Sequence, residues 1–314
     1  MRGINISSIL FLLIIVWNIA ALIFFKIRKI KSKKTKNPGN GILITLIINV
    51  ILLACLYYFS VNISVTHYNL KSERLPEEFD GYKILQISDF HTATFTGGTE
   101  ALIKKVKKEK PDIVVLTGDL IDETRINLQP VIQLVTGLQA IAPVYSVSGN
   151  HDVWYSNFNE YQELLKNKGV ILLENKKTIL QRGNSSINLF GISDPETWND
   201  LLAKNFLIEN INKLEPDSGF NILLFHRANM FDIIKGKGYQ LVFSGHMHGG
   251  QVQIPFVGGL VSPHQNQGWF PKYTGGRWEN SGTAMIVSRG LGNNVPFPRL
   301  LNPPEVVVVT LRKK

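Results

Sequence analysis

Residues 113–122 read IVVLTGDLID. Five strand-favouring residues run into a glycine and two carboxylates. A short apolar run stopped by a turn signal reads as a strand. Polar side chains just past such a run stand where open α/β sheets bind ligands, beyond the carboxyl ends of the strands. The arrangement recurs four times. KILQIS (83–88) is followed by Asp89, Phe90 and His91, and VYSVS (144–148) by Gly149, Asn150, His151 and Asp152. FNILLF (220–225) is followed by His226, and LVFS (241–244) by GHMHGG (245–250). Five of the seven histidines in the 314-residue chain lie in these clusters.

Further strands are expected at 187–192, 283–287 and 306–311, and helices at 99–108, 128–140, 157–166 and 198–213. Strands alternating with helices make this an α/β sheet protein. The basic run 104–110 is the solvated face of one of those helices.

The first 63 residues differ in kind. Stretches 4–25 and 41–61 hold no charged residue. Each is long enough to cross a bilayer core of about 30 Å at about 1.5 Å per residue. Between them, residues 26–40 carry seven Lys/Arg. Basic loops stay in the cytoplasm, so residues 1–63 are read as a two-helix transmembrane hairpin with both ends outside. Residues 64–314 then form an extracytoplasmic domain of a multi-pass cell-membrane protein. The basic cluster follows the first run rather than preceding it, which argues against a signal peptide.

The net charge of +10 belongs to that segment. Eight of the 34 basic residues and none of the 24 acidic ones lie in it, leaving 26 against 24 elsewhere. A nearly neutral domain gives no footprint for nucleic acid, and none is expected as a partner. With one cysteine, Cys55, an intrachain disulfide and a Cys-rich zinc site are both excluded.

The clusters suit a metal. In an extended segment the side chains of Asp89 and His91 would point to one side and grip one cation. His246 and His248 repeat that spacing, and their flanking glycines permit close backbone approach. Asp119 and Asn150 each follow a glycine at a strand end, where a polar atom needs a partner. Together Asp89, His91, Asp119, Asn150, His226, His246 and His248 offer oxygen and nitrogen without thiolate, which suits manganese, iron, zinc or nickel. Seven donors exceed one ion and match two sharing a carboxylate. Two ions about 3.5–4 Å apart can clamp an in-line displacement at phosphorus.

The series SDFH (88–91), TGDLID (117–122), SGNHD (148–152), FHRAN (225–229) and SGHMHGGQ (244–251) resembles the calcineurin-like metallophosphoesterase superfamily. That pattern is D-x-H, G-D-x-x-D, G-N-H-[DE], a histidine, then G-H-x-H. With SRGLG (288–292) and NPPEV (302–306), it is similar to a bacterial, often membrane-anchored branch. Some relatives there cleave the pyrophosphate of UDP-diacylglucosamine. The resemblance implies two mixed β-sheets in a sandwich flanked by helices. It implies that Asp89, His91, Asp119 and His248 hold one ion, that Asp119 bridges, and that Asn150, His226 and His246 complete the second. It implies that His151 faces the substrate, that Asp152 orients His151, and that Asp122 supports the loop. Many members have glycine two residues after the first histidine; here the stretch is HTAT (91–94), which alters the substrate-side loop rather than the ligands.

The implied activity is hydrolysis of a phosphomonoester, phosphodiester or pyrophosphate by a hydroxide held between two divalent ions, on a lipid-linked or envelope substrate. Two alternatives stand beside it. A nuclease or cyclic-nucleotide phosphodiesterase is disfavoured by the neutral domain. An inactive metal-binding interaction module is disfavoured by the complete ligand set with His151 and Asp152. Among weaker signals, Arg227 and Asn229 could reach phosphate oxygens, His67 reads as an interfacial or surface residue and His264 as a pocket or loop residue. The aromatic stretch 268–278 reads either as loop packing or as a lip for lipid.

Overall fold

Side chains alternate across a strand, so each strand faces two layers at once. Ile113 and Val115 enter one apolar cluster, while Val114 and Leu116 enter another. Ile222 and Leu224 join the first of these from the other side, and Leu223 and Phe225 a third. Strands apolar on both faces must be covered on both faces, and this dictates two sheets face to face with helices outside. The structure, a computed structural model, describes residues 14, 16–21, 23, 39–93, 97–124, 126–197, 199–261, 268–293 and 299–314.

The first sheet has six strands in the order Ser64–Ser72, Glu305–Lys313, Lys83–Ile87, Ile113–Thr117, Val144–Val147 and Ile171–Leu172. Glu305–Lys313 is antiparallel to Lys83–Ile87, and the other pairings are parallel. The second has Gly276–Asn280, Thr283–Val287, Leu241–Gly245, Asn221–Arg227, Ser185–Ile192 and Lys176–Arg182. Its two outermost pairings are antiparallel and the inner three parallel. Both sheets are therefore mixed, as the resemblance implies.

Helices Gly98–Glu109, Gln129–Gln139 and Phe158–Asn167 cover the outer face of the first sheet through Leu102, Val106, Val131, Leu134, Leu138 and Leu165. Asp200–Leu214 covers the second through Ala203, Leu207 and Ile211. Its start is fixed by Asn199, whose side chain accepts the N–H groups of Leu201 and Leu202.

All eight expected strands occur, and they are the central ones. Within these two six-stranded sheets, the four strands that the apolar pattern did not indicate, Ser64–Ser72, Ile171–Leu172, Lys176–Arg182 and Gly276–Asn280, are the four edges.

In the N-terminal segment, Gly39–Val61 is a 23-residue helix without acidic or basic residues in its terminal turns. Its continuous stretch of described side chains is 43–54, and among the described residues no helix is long and apolar enough to cross a membrane. Residues 16–21 are helical. Asn18 and Asn49 exchange amide hydrogen bonds of 3.0 Å each, so the two apolar runs touch there. Residues 26–38 of the basic loop and His264 lie outside the described residues.

Candidate metal centre

The ligand candidates leave the ends of adjacent strands. Asp89 and His91 follow Lys83–Ile87, Asp119 follows Ile113–Thr117, and Asn150 starts the short helix Asn150–Val153 after Val144–Val147. From the second sheet, His226 is the penultimate residue of Asn221–Arg227, and His246 and His248 follow Leu241–Gly245. Parallel neighbours put these ends side by side.

One expectation about local geometry is overturned. Neither Asp-x-His nor His-x-His is extended. Asp89 (φ 48°), His91 (φ 45°), Asp119 (φ 54°), His246 (φ 72°) and His248 (φ 46°) all lie in the left-handed region. Each such residue costs on the order of 1 kcal/mol or more and persists because surrounding contacts over-determine it. Here backbone bonds do so: His91 N–H donates to Asp119 O and Asp89 N–H to Gly118 O, both at 3.0 Å. His246 N–H donates to Asp89 Oδ1 at 2.9 Å, joining the two sheets.

Two groups of donors converge. Asp89, His91, Asp119 and His248 bring one ligand atom each to within 4.8 Å of one another, and so do Asp119, His226 and His246. In the first, His91 Nε2 lies 3.1 Å from His248 Nε2, and His248 Nε2 lies 3.3 Å from Asp89 Oδ1. In the second, His226 Nε2 lies 3.1 Å from Asp119 Oδ2 and 3.2 Å from His246 Nδ1. Asp119 Oδ2 is also 3.7 Å from His91 Nε2, so one carboxylate oxygen is common to both groups. His246 and His248 thus serve different groups.

The chemistry fits two divalent ions. Facing imidazole nitrogens around buried carboxylates make poor hydrogen-bonding partners and good metal ligands. Asp89 Oδ2 and Asn150 Oδ1 are buried with no hydrogen-bond partner among the described residues, as atoms reserved for a cation would be. The Thr117 carbonyl, 2.7 Å from His226 Nδ1, takes the proton there and leaves Nε2 as the ligand atom. Burial pushes His226 down, yet Asp119 and Asp89 carry it up to about 10: the pocket favours positive charge at this ring, from a proton or a metal. Burial holds His91 at about 3, which keeps that imidazole in its neutral, ligating form.

Glycine is required around the carboxylates for space. A Cβ on Gly149 would collide with the Asp119 carboxylate, and one on Gly245 with Ser88 Oγ and the Asp89 carboxylate.

His151 sits at the rim of the two groups, its ring edge-on to His91 at 4.7 Å between centroids. Its N–H donates to Asp119 Oδ1 at 2.8 Å. Its Nδ1 contacts the Glu123 carboxylate. Glu123 had no motif to mark it; only its place beside Asp122 in the loop after Ile113–Thr117 hinted at it. Asp152, to which the resemblance gives the orienting of His151, bonds the backbone of the ligand loops. Its carboxylate accepts the N–H groups of Asp119 (2.7 Å), Gly149 (2.9 Å), Leu120 (3.1 Å) and Ile121 (3.3 Å), fastening two ligand loops together. Asp122 accepts from Thr124 N–H at 3.0 Å and its hydroxyl at 2.6 Å, shaping the loop that carries Glu123.

Arg227 does not reach toward a phosphate. It is fully buried and grips Asp194 through Nε (2.8 Å) and Nη2 (2.6 Å). His67 is on the surface, 2.7 Å from Glu109.

Comparison with known proteins adds the family. The model for the calcineurin-like phosphoesterase family matches residues 82–250. The uncharacterized metallophosphoesterase YkuE of Bacillus subtilis is 33% identical over 80% of this chain and 86% of its own length. An uncharacterized metallophosphoesterase of Aquifex aeolicus is 30% identical over 80% of this chain and 92% of its own. The UDP-2,3-diacylglucosamine pyrophosphatase LpxG of Chlamydia muridarum is 24% identical over 75% of this chain and 86% of its own.

Proposed function

The chain belongs to the calcineurin-like phosphoesterase family, and from that premise we propose a membrane-anchored, two-metal phosphoesterase acting on a lipid-linked or envelope phosphoester. That it is a metal-dependent phosphoester hydrolase follows from the family. The single observation that carries the two-metal reading is the Asp119 carboxylate oxygen common to both donor groups.

In this reading Asp89, His91, Asp119 and His248 hold one ion, and Asp119, Asn150, His226 and His246 the other. When bound, manganese, zinc, iron or nickel supplies a Lewis-acid charge that activates water and neutralises the phosphoryl oxygens. The protein does the rest. Asp119 spaces the two groups. His151 stands beside the first group, where its ring can bind a phosphoryl oxygen or protonate the leaving oxygen. Glu123 sets the ring through Nδ1, and Asp152 keeps the Asp119 loop against the Asn150 helix.

The membrane part of the proposal takes 4–25 and 41–61 as a hairpin, 26–40 as its cytoplasmic loop and 64–314 as an extracytoplasmic catalytic domain. The uncharged runs, the seven basic residues between them, and the reciprocal Asn18–Asn49 amide bond support it. The name of LpxG, a UDP-2,3-diacylglucosamine pyrophosphatase, supports the substrate class.

The test uses the purified full chain, stripped of metal and then given manganese, zinc, nickel, iron or magnesium in turn. Hydrolysis of phosphomonoesters and diesters should return with metal. His151→Ala should lower it by about 10²- to 10⁴-fold while metal stays bound. A metal-loaded protein that cleaves nothing on a broad phosphoester panel would leave the hydrolase roles of these residues without support.

A further inference from the structure

Immediately beyond His248 the chain builds a small platform that carries large apolar side chains in solvent. Gln253–Ile254 pairs antiparallel with Gly258–Gly259, and Phe256 between them is 79% exposed. Val261 bridges to Trp269, and Phe270 donates its N–H to Leu260 O at 2.8 Å. Val252 bridges to Leu300. Trp269 is 70% exposed and Phe270 55%. The remainder of the aromatic stretch behaves differently. Tyr273 is buried, edge-on to Phe231 at 5.5 Å and to Trp278 at 4.9 Å. The second half of 268–278 thus packs, and Trp269 and Phe270 in the first half are exposed. Large apolar side chains gathered on one platform mark a surface that something covers.

The way the chain enters the sandwich says what that is. Only Asn62 and Ile63 separate helix Gly39–Val61 from strand Ser64–Ser72. Ser64 pairs with Glu305, and its N–H donates to Pro304 O at 2.8 Å. Just before Pro304, Asn302 donates to the carbonyls of His248 (2.7 Å) and Gln251 (3.2 Å). Gly290, whose carbonyl takes the Glu305 N–H at 3.0 Å, lies against Asp89. The apolar helix is thus joined to the end of the sandwich that holds the metal centre and the platform. Two residues reach about 7 Å at most, so a helix anchored in a membrane keeps that end at the lipid surface.

We infer that Phe256, Trp269, Phe270 and Leu300 seat in the bilayer surface. The metal centre then opens on the membrane and takes phosphoesters whose apolar part stays in the lipid. This rests on the membrane-anchored reading above. Aromatic side chains with exposed apolar faces are the residues that partition into the lipid interface.

The experiment uses the full chain with Cys55→Ser and one new cysteine, Phe256→Cys or Phe270→Cys. Ser281→Cys is the control; it lies in the turn before Thr283–Val287, whose Ala284 pairs with Leu241 at the far end of the second sheet. Each is labelled with an environment-sensitive fluorophore and reconstituted into phosphatidylethanolamine–phosphatidylglycerol vesicles. Lipids with nitroxides on their acyl chains should quench most of the emission at 256 and 270 and leave 281 bright. Labels at 256 and 270 that aqueous iodide quenches as strongly as the one at 281 overturn the inference. Shielding from iodide without nitroxide quenching also overturns it, and assigns the platform to a second copy or another protein. The readout needs no turnover. Loss of lipid contact with metal-dependent hydrolysis of a soluble diester intact sinks this inference alone; the converse sinks the hydrolase reading alone.

Discussion

Asp119 is the residue on which the centre turns. One oxygen takes the His151 N–H and the other lies between His226 and His91. Asp119→Asn should abolish hydrolysis and lower metal content below two ions per chain, read by elemental analysis. Gly149→Ala is a subtler probe, because its methyl meets the Asp119 carboxylate. It should weaken metal binding about 10- to 100-fold, in the range typical of residues that support ligands. Glu123 and Asp152 separate two kinds of support. Glu123→Gln should lower kcat about tenfold with metal content and melting temperature unchanged, because its carboxylate contacts the His151 ring, to which the proposal gives the substrate-facing role. Asp152→Asn should lower melting temperature and metal content together, because its carboxylate collects four N–H groups from two loops. If both variants show the same pattern, the division of labour drawn here is wrong.

At the scale of elements, the central strands were legible and the edges were not. Ile113–Thr117 is buried at every residue and is apolar but for Thr117. Ser64–Ser72 has one buried residue in nine, and Lys176–Arg182 one in seven. An edge strand is specified by its partner's backbone more than by its own side chains. Ser64–Ser72 is held by such a partner and by one ion pair between buried Glu305 and half-buried Arg289. Glu305 lies 2.8 Å from Arg289 Nη2 and contacts the Thr66 hydroxyl. Glu305→Gln should destabilise the folded chain by about 3 kcal/mol or more, since Arg289 loses its partner. Burial alone would raise the Glu305 carboxyl, but Arg289 and Thr66 outweigh it and hold it below the ordinary range. A depressed folded value means the stabilisation is complete above the unfolded pKa of about 4.3 and is lost as pH falls through the folded one. Thermal melts of the two proteins should therefore converge in acid; a gap that widens in acid contradicts the assignment.

At the scale of the molecule, the two sheets meet at the metal centre, and ions bound there should stabilise both. Metal at about 100 times its Kd adds about 2.7 kcal/mol to a protein that binds it only when folded. Chelation should lower the melting temperature of the full chain, and the loss should vanish in Asp119→Asn. The topology has its own test. An alkaline phosphatase reporter fused after Lys314 should be active and a cytoplasmic fluorescent reporter dark; the reverse pattern would place the domain inside the cell.

The sequence alone determined the residue types of the centre, the eight inner strands and the helices that cover them. Each depends on local chemistry: donor atoms at strand ends, and apolar periodicity along an element. The family resemblance implied how the donors are grouped; only the tertiary structure decided that five of them bend left-handed rather than extend, and that Glu123 contacts the His151 ring. Glu123 and His151 are 28 residues apart in sequence, and no local pattern records a contact made by two loops. The same holds for the exposed platform. Phe256, Trp269 and Leu300 lie on separate segments, and only folding brings those segments together at the end where the N-terminal helix joins the sandwich.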